Sequence, residues 1–188
     1  MIDLKDIDYP YDKLEAEFIE EFKKLGSKGF YERAVLSTSL NDVVTARRMR
    51  FVPDGLTLYC YTDQYTRKYE QILGNPNVAV VIGYIQVEGT AKIAGNPLEK
   101  ENVDFIRAFK ENNLEFAENY MKHFERPDRS IQLIKIDPKR IALFKYGDPE
   151  SGIERGLYVL DVPNKKAHRF LGFYDIDKDH KDAPAYVQ

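Results

Sequence analysis

A hydroxyl and two cations lie together where a strand-like stretch of the sequence gives way to a helix-like one. Thr66 is a candidate N-cap, so Arg67 and Lys68 fall in the first turn of the predicted helix. A helix start presents free backbone N–H groups and a partial positive charge, and both favour a bound anion. The pattern therefore predicts a phosphate-binding site. The alternative interpretation is a helix start exposed to solvent.

Three arginines precede this site along the chain, at Arg47, Arg48 and Arg50. Successive side chains of a strand point to opposite faces, so at least one side of this set faces water or a pocket. The planar guanidinium can bind a phosphate through two parallel hydrogen bonds. From the residues alone, ordinary surface arginines or an ion-pair network are the default interpretation.

The remaining reactive side chains give weaker signals. Cys60 is the only cysteine, so no intrachain disulfide can form, and a single buried cysteine usually acts as a small hydrophobe. His123, His168 and His180 lack the spacing of metal ligands, so we expect no metal site. The sequence contains no glycine-rich dinucleotide fingerprint, nucleophile-elbow serine or zinc-protease pair.

The elements that would position these residues are mostly strands. A helix is predicted over residues 11–25, with Gly26 as its C-cap, because four apolar residues recur there at helical spacing. Asp54-Gly55 predicts a hairpin turn. Tyr59 and Tyr61 share one strand face, which predicts core or interface aromatics. The predicted strands cover residues 34–39, 43–52, 56–62, 78–84, 86–93, 131–136, 141–146, 157–162 and 167–173.

Two further segments define the predicted architecture. Residues 78–82 are apolar without alternation, which predicts a strand buried on both faces. Residues 97–124 return to helical spacing and predict two helices that break near Asn112-Asn113. We therefore expect one domain over residues 1–188, mostly β with peripheral helices, built as an antiparallel barrel. Its predicted additions are an N-terminal helical region (1–29), a helical insert (97–129) and a charged tail (175–188).

Composition narrows the classes of partner. The 188 residues carry a formal net charge of -3, which argues against a nucleic-acid or anionic-membrane surface as the main partner. No apolar stretch is long enough to cross a bilayer. The first residues lack the basic and apolar blocks of a secretory signal. We therefore expect a cytoplasmic protein.

Five short motifs follow one another within residues 31–95, namely Thr45-Ala46-Arg47-Arg48-Met49-Arg50, Tyr61-Thr62, Thr66-Arg67-Lys68, Asn75-Pro76 and Gln86-Val87-Glu88-Gly89-Thr90-Ala91. The order and spacing of these motifs resemble those of the FMN-binding split-barrel family of pyridoxamine 5'-phosphate oxidases and their relatives. That family has an arginine-bearing strand, a Tyr-Thr pair, a Ser/Thr-Arg-Lys helix start, an Asn-Pro helix exit and a Gln-Val-x-x-Gly strand. Five motifs in order are more specific than any one alone.

The resemblance implies an antiparallel split β-barrel that binds FMN. It implies that an arginine of the Arg47/Arg48 pair holds the FMN phosphate together with Thr66, Arg67 and Lys68. Gln86 would lie near the flavin. The backbone implied to line the flavin ring is that of Arg47, Arg48, Met49, Cys60, Tyr61 and Thr62, and Arg50 completes the implied cofactor-binding set.

The resemblance also implies an activity and an assembly. The activity is that of an FMN-dependent oxidoreductase, which passes a hydride or electrons between a reduced nicotinamide and a small molecule. The assembly is a homodimer in which the partner chain completes each flavin site. The alternatives are a non-catalytic barrel that binds FMN or another ligand, and a deazaflavin- or haem-using relative of the same fold.

One part of the family's pattern is missing. Pyridoxamine-phosphate oxidases end in a tryptophan-containing, arginine-rich segment, in which an Arg-x-His binds the substrate phosphate. This chain has no tryptophan, and Arg155 and His168-Arg169 do not reproduce that spacing. We therefore expect FMN binding without oxidation of pyridoxamine phosphate.

Overall fold

The computed structural model describes residues 6–26, 34–112, 117–126, 130–148, 150 and 152–170. The helices within these ranges are α1 (Tyr11–Lys23), α2 (Arg67–Gly74), α3 (Val103–Asn112) and α4 (Ala117–Phe124). The strands are β1 (Asp6–Tyr9), β2 (Ala34–Leu40), β3 (Val43–Arg48), β4 (Val52–Asp54), β5 (Thr57–Asp63), β6 (Asn77–Ile82), β7 (Ile85–Ile93), β8 (Ile131–Lys145), β9 (Gly156–Asp161) and β10 (Lys166–Phe170).

The strands form one antiparallel sheet that branches at β8. Their order is β1-β10-β9-β8-β7-β6-β2-β3, and β5 pairs with β8 and β4 outside that path. The first part of β8 pairs with β5 and the last part with β9, while β7 pairs along the other edge. This exchange of partners splits the sheet and lets it curve around a core.

The exchange of partners occurs around Pro138, in the middle of β8. Proline has no backbone N–H to donate to a neighbouring strand, and the register between β7 and β8 shifts here, between Glu88 and Gly89. A Cβ on Gly89 would lie 2.6 Å from the backbone oxygen of Asp137. Glycine is therefore required for the two strands to approach this closely.

Two apolar cores lie on opposite faces of β5. The main core fills the inside of the curved sheet, where Leu58 and Cys60 of β5 are fully buried together with one face of α1. The second core lies on the other face, where α3 and α4 cover β5 and the start of β8. Its buried aromatic residues are Tyr59, Phe105, Phe109 and Phe124.

The predicted fold class is confirmed: the fold is mostly antiparallel β, a split barrel with peripheral helices. Helix α1 begins where predicted but ends at Lys23, because residues Lys24–Gly26 tighten into a 3-10 turn and the C-cap is Lys24 instead of Gly26. Gly55 has a φ of 59°, as a tight turn at Asp54-Gly55 requires. Helix α3 ends at Asn112 and α4 begins at Ala117, so the predicted break near Asn112-Asn113 lies between two helices.

Three strand predictions are wrong. The predicted strand 43–52 is two strands, because the chain leaves the sheet after Arg48 and re-enters at Val52. The predicted strands 131–136 and 141–146 are one strand, because the register shift against β7 accommodates Pro138. Strand β1 was not predicted, since four residues are too few to establish a period.

The predicted burial of residues 78–82 on both faces is also wrong. Val78, Val80 and Ile82 are buried, but Val81 is 39% exposed on the opposite face. We call this opposite side of β3, β2, β6 and β7 the outer face. On this face of β6, Val81 is exposed to solvent and Ala79 is half-buried.

Some expectations concern the chain as a whole. None of the described helices is both long and apolar enough to span a membrane. The single-domain organisation over residues 1–188 stays a prediction. Residues 171–173 of the last predicted strand and the predicted tail, 175–188, lie outside the described residues.

Candidate functional site

The connection from β5 to α2 carries the hydroxyl and the cations at the helix start. Thr66 is the N-cap residue of α2 and has an extended backbone. Its hydroxyl donates to the backbone oxygen of Asp63 at 2.8 Å and lies 2.8 Å from the Thr62 hydroxyl, so it caps no N–H of the helix. The first turn of α2 therefore keeps N–H groups for an acceptor from outside the helix.

Lys68 reaches from the first turn of α2 back to β5. Its Nζ donates to Thr62 Oγ1 at 3.0 Å, and its side chain is half-buried. Burial lowers the pKa of Lys68, and the positive charge of Arg47 lowers it further, against smaller opposing effects of Cys60 and Asp63. The surroundings of Lys68 thus disfavour the protonated, positively charged form of its side chain.

Arg47 lies on the inner face of β3, the face that α2 covers. Its Nη1 donates to the backbone oxygen of Leu36 at 3.2 Å and to Thr38 Oγ1 at 2.6 Å. Its Nη2 donates to Thr45 Oγ1 and, at 3.3 Å, to Gln71 Oε1. All four acceptors are uncharged, so they hold the guanidinium without neutralising it.

Arg47 and Lys68 are therefore two half-buried cations with no counter-ion among the residues that the structure describes. Neither forms an ion pair with a carboxylate of the described residues. Burial lowers the pKa of Arg47, and the exposed Arg67 lowers it further. Such charges cost free energy unless an opposite charge joins them. We call Arg47, Thr62, Thr66, Arg67 and Lys68 the cationic site, and its electrostatics favour a bound anion.

Cys60 and the backbone of β5 lie beside the cationic site. The thiol is fully buried, and burial raises the pKa of Cys60 to about 12 although the charges of Lys68 and Arg47 oppose the shift. It is therefore a neutral thiol at physiological pH. Strand β4 pairs only with residues 57–59, so within the described chain the same edge of β5 has no strand partner from Cys60 onward. That edge can offer backbone donors and acceptors to a ligand.

Residues 49 and 50 leave the sheet after β3. Met49 is half-buried against the main core, and its N–H donates to the backbone oxygen of Ala34 at 3.0 Å. This N–H is therefore not available to a ligand. Arg50 is half-buried just beyond the end of β3.

Arg48 and Gln86 lie on the outer face, away from the cationic site. Arg48 pairs with Val35, Val35 with Val81, and Val81 with Gln86, so the four residues form one row across the sheet. Both ends of the row are exposed. Of the arginine pair, the structure thus brings Arg47 into the cationic site and leaves Arg48 outside it. Gln86 is likewise not part of the site within one chain.

The ring of Tyr61 also points away from the cationic site. It contacts Phe124 edge to face, with ring centroids 5.0 Å apart, and Tyr59 contacts Phe105 at 5.7 Å. Both tyrosines pack in or against the second core, as their shared strand face predicts. Only the backbone of Tyr61 remains a candidate for contact with a ligand in the cationic site.

The two described histidines, His123 and His168, lie on separate elements outside this site. His123 is on α4, His168 is on β10, and His180 lies outside the described residues. Within the described ranges, no group of three or more His, Cys, Asp or Glu side chains could hold a metal ion.

The region that contains the cationic site matches a known family. The family model of pyridoxamine 5'-phosphate oxidase matches residues 32–145, which span β2 to β8. The chain belongs to the pyridoxamine 5'-phosphate oxidase family. The resemblance carried by the five motifs is thereby confirmed.

Three relatives illustrate the similarity of this family member to known proteins. General stress protein 26 of Bacillus subtilis is 28% identical over 113 residues, which are 55% of this chain and 72% of that protein. A crystal structure of a candidate pyridoxamine 5'-phosphate oxidase from Listeria innocua is 28% identical, with a TM-score of 0.50 over 69% of this chain and 97% of that one. A pyridoxamine 5'-phosphate oxidase-related, FMN-binding protein from Nostoc punctiforme, 16% identical, shares the fold, with a TM-score of 0.53 over 87% of this chain and 97% of that one.

Strand β10 lies beyond the family match and carries His168 and Arg169, two of the residues nearest to the family's Arg-x-His. Arg169 forms an ion pair with Glu154, and its side chain is mostly buried. His168 lies 3.9 Å from the carboxylate of Asp8 and stacks on Phe170. In this family member both residues make contacts within the β1–β10–β9 part of the sheet.

Sequence reasoning missed Gln71, which joins Arg47 to α2. Gln71 is only 3% exposed, and its Oε1 accepts hydrogen bonds from Thr38, Thr45 and Arg47. One signal was present: Gln71 is a polar residue next to Ile72 on the buried face of α2. Its partners come from two other strands, so their proximity to Gln71 is not visible in the sequence.

Proposed function

We propose that this protein binds FMN, with the phosphate in the cationic site. The observation that carries the proposal is the pair of half-buried cations, Arg47 and Lys68, which no carboxylate of the described residues neutralises. A phosphate monoester carries nearly two negative charges at neutral pH and three acceptor oxygens. It would accept from Lys68 and from first-turn N–H groups of α2, while Arg47 and Arg67 add positive charge.

The flavin ring would lie along the edge of β5 that begins at Cys60. That edge has no strand partner beyond Tyr59 on the β4 side. A flavin ring has fixed donors and acceptors, which strand backbone at Cys60, Tyr61 and Thr62 can satisfy. The neutral thiol of Cys60 places no charge against the ring.

The proposed activity is that of an oxidoreductase that uses a reduced nicotinamide and a small-molecule substrate. When bound, FMN supplies hydride or electron transfer. The residues of the chain bind and orient the cofactor, and the high pKa of Cys60 makes its thiol a poor acid or base at neutral pH. Membership in a family named for an oxidase supports this class of activity.

The proposal includes a homodimer that covers the outer face. Val81 is 39% exposed and Val44 is 69% exposed, although both belong to strands. A two-fold axis would place the same face of both copies in contact. This arrangement explains why residues 78–82 are apolar on both faces. Arg48 and Gln86 would then lie at the interface, where a flavin site shared by two chains can reach them.

We expect no turnover of pyridoxamine phosphate. A second phosphate next to the flavin needs its own cations, and Arg169 is already paired with Glu154. Loss of buried partners for a charged substrate group lowers specificity by orders of magnitude. An aerobic assay of FMN-loaded protein for pyridoxal phosphate and peroxide tests this expectation, and rapid formation of both products would contradict it.

The absorption spectrum of the purified protein, with the mass of the released cofactor, tests the proposal. We expect a flavin spectrum and the mass of FMN. If the spectrum and mass are those of a deazaflavin or of haem, the protein binds that cofactor and the proposal of FMN is wrong. Anaerobic addition of reduced nicotinamides then tests the activity: bleaching of the flavin supports an oxidoreductase, whereas no bleaching with any nicotinamide favours a non-catalytic FMN-binding barrel.

The dimer has a separate test on the outer face. Val81→Lys places a charge in the proposed interface and should convert a dimer to a monomer with weaker FMN binding. Val103→Lys is the matched control, because Val103 is an exposed valine on α3, outside the outer face. Sedimentation of both variants and the wild type measures the change. A monomeric wild type with full FMN occupancy would contradict the dimer.

A further inference from the structure

The buried side chain of Gln71 on α2 forms hydrogen bonds with residues of two strands, β2 and β3. Its Oε1 accepts from Thr38 Oγ1 at 2.7 Å, from Thr45 Oγ1 at 2.8 Å and from Arg47 at 3.3 Å. Its Nε2 donates to the backbone oxygen of Val43 at 3.1 Å. The guanidinium can only donate, so the amide has a single orientation that satisfies all four contacts.

Thr38 and Thr45 form further hydrogen bonds with the guanidinium of Arg47, in addition to the one with Gln71. Thr38 and Thr45 are directly opposite each other on β2 and β3, and Thr38 is only 2% exposed. Each hydroxyl donates to Gln71 and accepts from Arg47. Replacing Gln71 by an apolar residue would remove the shared acceptor of both hydroxyls and one acceptor of Arg47.

The hydrogen bond between Gln71 and Arg47 also fixes the position of Arg47 relative to Lys68. Gln71 lies one helical turn after Lys68 on α2, so one rigid element carries Lys68 and the acceptor of Arg47. The charges of Arg47 and Lys68 repel, and a free arginine side chain would gain entropy by extending into solvent. Contacts to uncharged groups hold Arg47 in place and leave its charge for a ligand.

We infer that Gln71 is a positioning residue for the phosphate site, acting with Thr38 and Thr45 to hold the charge of Arg47 beside Lys68. This inference rests on the proposed function and assigns the role to residues outside the cationic site. Gln71 touches no part of the ligand in this role. It acts through Arg47, so its effect is confined to the phosphate and absent for riboflavin, which has the same ring without the phosphate.

The test is the ratio of riboflavin to FMN dissociation constants, measured on unliganded protein by calorimetry. In Gln71→Met we expect this ratio to fall by about tenfold, the loss of one hydrogen bond to a charged group. Thr45→Val, a change of similar volume on the edge strand β3, should lower the ratio in the same direction. It also keeps the inference testable if Gln71→Met does not fold.

Asn75→Ala is the matched control. Asn75 follows α2 and donates to Ser39 Oγ on β2 at 3.0 Å, so it joins the same helix to the same strand without a contact to Arg47. A structural effect alone should change FMN and riboflavin binding equally. We expect the ratio in Asn75→Ala to equal that of the wild type.

A double-variant cycle with Arg47→Met shows whether Gln71 acts through Arg47. Gln71→Met should leave the ratio unchanged when Arg47 is already methionine. An unchanged ratio in Gln71→Met and Thr45→Val, or an equal fall with and without Arg47, would overturn the inference. A wild type that binds FMN no more tightly than riboflavin would instead overturn the proposed phosphate site itself.

Discussion

Lys68 Nζ lies 3.0 Å from Thr62 Oγ1, so a cation in the first turn of α2 contacts a hydroxyl of β5 where a carboxylate would be usual. The hydroxyl satisfies one ammonium N–H and leaves the charge unneutralised. Thr62 is itself buried and lies 2.8 Å from the Thr66 hydroxyl. Strand and helix are thus joined by hydroxyls at the place where positive charge is concentrated.

Lys68→Ala should weaken FMN binding by about 1.5–3 kcal/mol, the range for hydrogen bonds to charged groups. Arg67→Ala should weaken it less, because Arg67 is exposed and solvent screens its charge. Calorimetric titration of unliganded protein with FMN measures both effects. Lys100→Ala, at an exposed lysine of a separate 3-10 turn, is the control that should leave the affinity unchanged. Unchanged affinity in the Arg67/Lys68 double variant would remove the cationic site from consideration.

FMN affinity should fall at alkaline pH, beginning below the ordinary lysine pKa of about 10.4. Burial and the charge of Arg47 lower the pKa of Lys68 in the unliganded protein. A phosphate binds the protonated ammonium, so binding must take up a proton once the pH exceeds this lowered pKa. Titrations across pH measure the fall.

The control for this pH dependence is Lys68→Arg. Arginine stays protonated throughout this range, so the alkaline fall caused by residue 68 should disappear. Any titration of the flavin itself is common to both proteins and cancels in the comparison. Identical pH profiles for the wild type and Lys68→Arg would contradict the assignment to Lys68.

Cys60 should resist thiol reagents in the native protein. Burial raises its pKa to about 12, and the thiolate is the reactive form. A disulfide reagent at pH 8 should label the native protein slowly and the denatured protein at once. Rapid labelling of the folded protein would show that Cys60 is accessible and ionised.

Phe109→Ala should destabilise the fold by about 3–5 kcal/mol, as expected for removal of a buried phenyl ring. Phe109 is fully buried and lies 5.5 Å from Phe105 and 5.6 Å from Phe124, measured between ring centroids. Denaturant unfolding measures the loss, and Val103→Ala at the exposed start of α3 should change stability little. The ratio of riboflavin to FMN dissociation constants should be the same in Phe109→Ala as in the wild type, because the second core lies on the face of β5 opposite to Thr62.

The fold was largely predictable because its signals are local. The helical spacing in α1 and the Asp54-Gly55 turn each lie within a few residues. The errors fall where distant strands decide the outcome. Pro138 lies between two of the predicted strands, yet the register shift at Gly89 lets β8 continue through it. The exposure of Val81 could not be foreseen, because an apolar strand residue looks the same in the sequence whether its face of the sheet is covered or exposed.

The candidate site was predictable in part for the same reason. Thr66, Arg67 and Lys68 are contiguous and mark a helix start. The choice of Arg47 over Arg48 required the face of β3 that α2 covers, which is a tertiary property. The role of Gln71 depends on contacts among α2, β2 and β3, and the spacing of residues within α2 does not predict these contacts.

The central claim is that the cationic site binds the phosphate of FMN. Its most direct test is calorimetric titration of the unliganded protein with FMN and, separately, with riboflavin. We predict that FMN binds about a hundredfold more tightly, as two charge-assisted hydrogen bonds would give, and that this preference shrinks as salt increases. Equal affinity for the two flavins, or binding of neither, would contradict the claim.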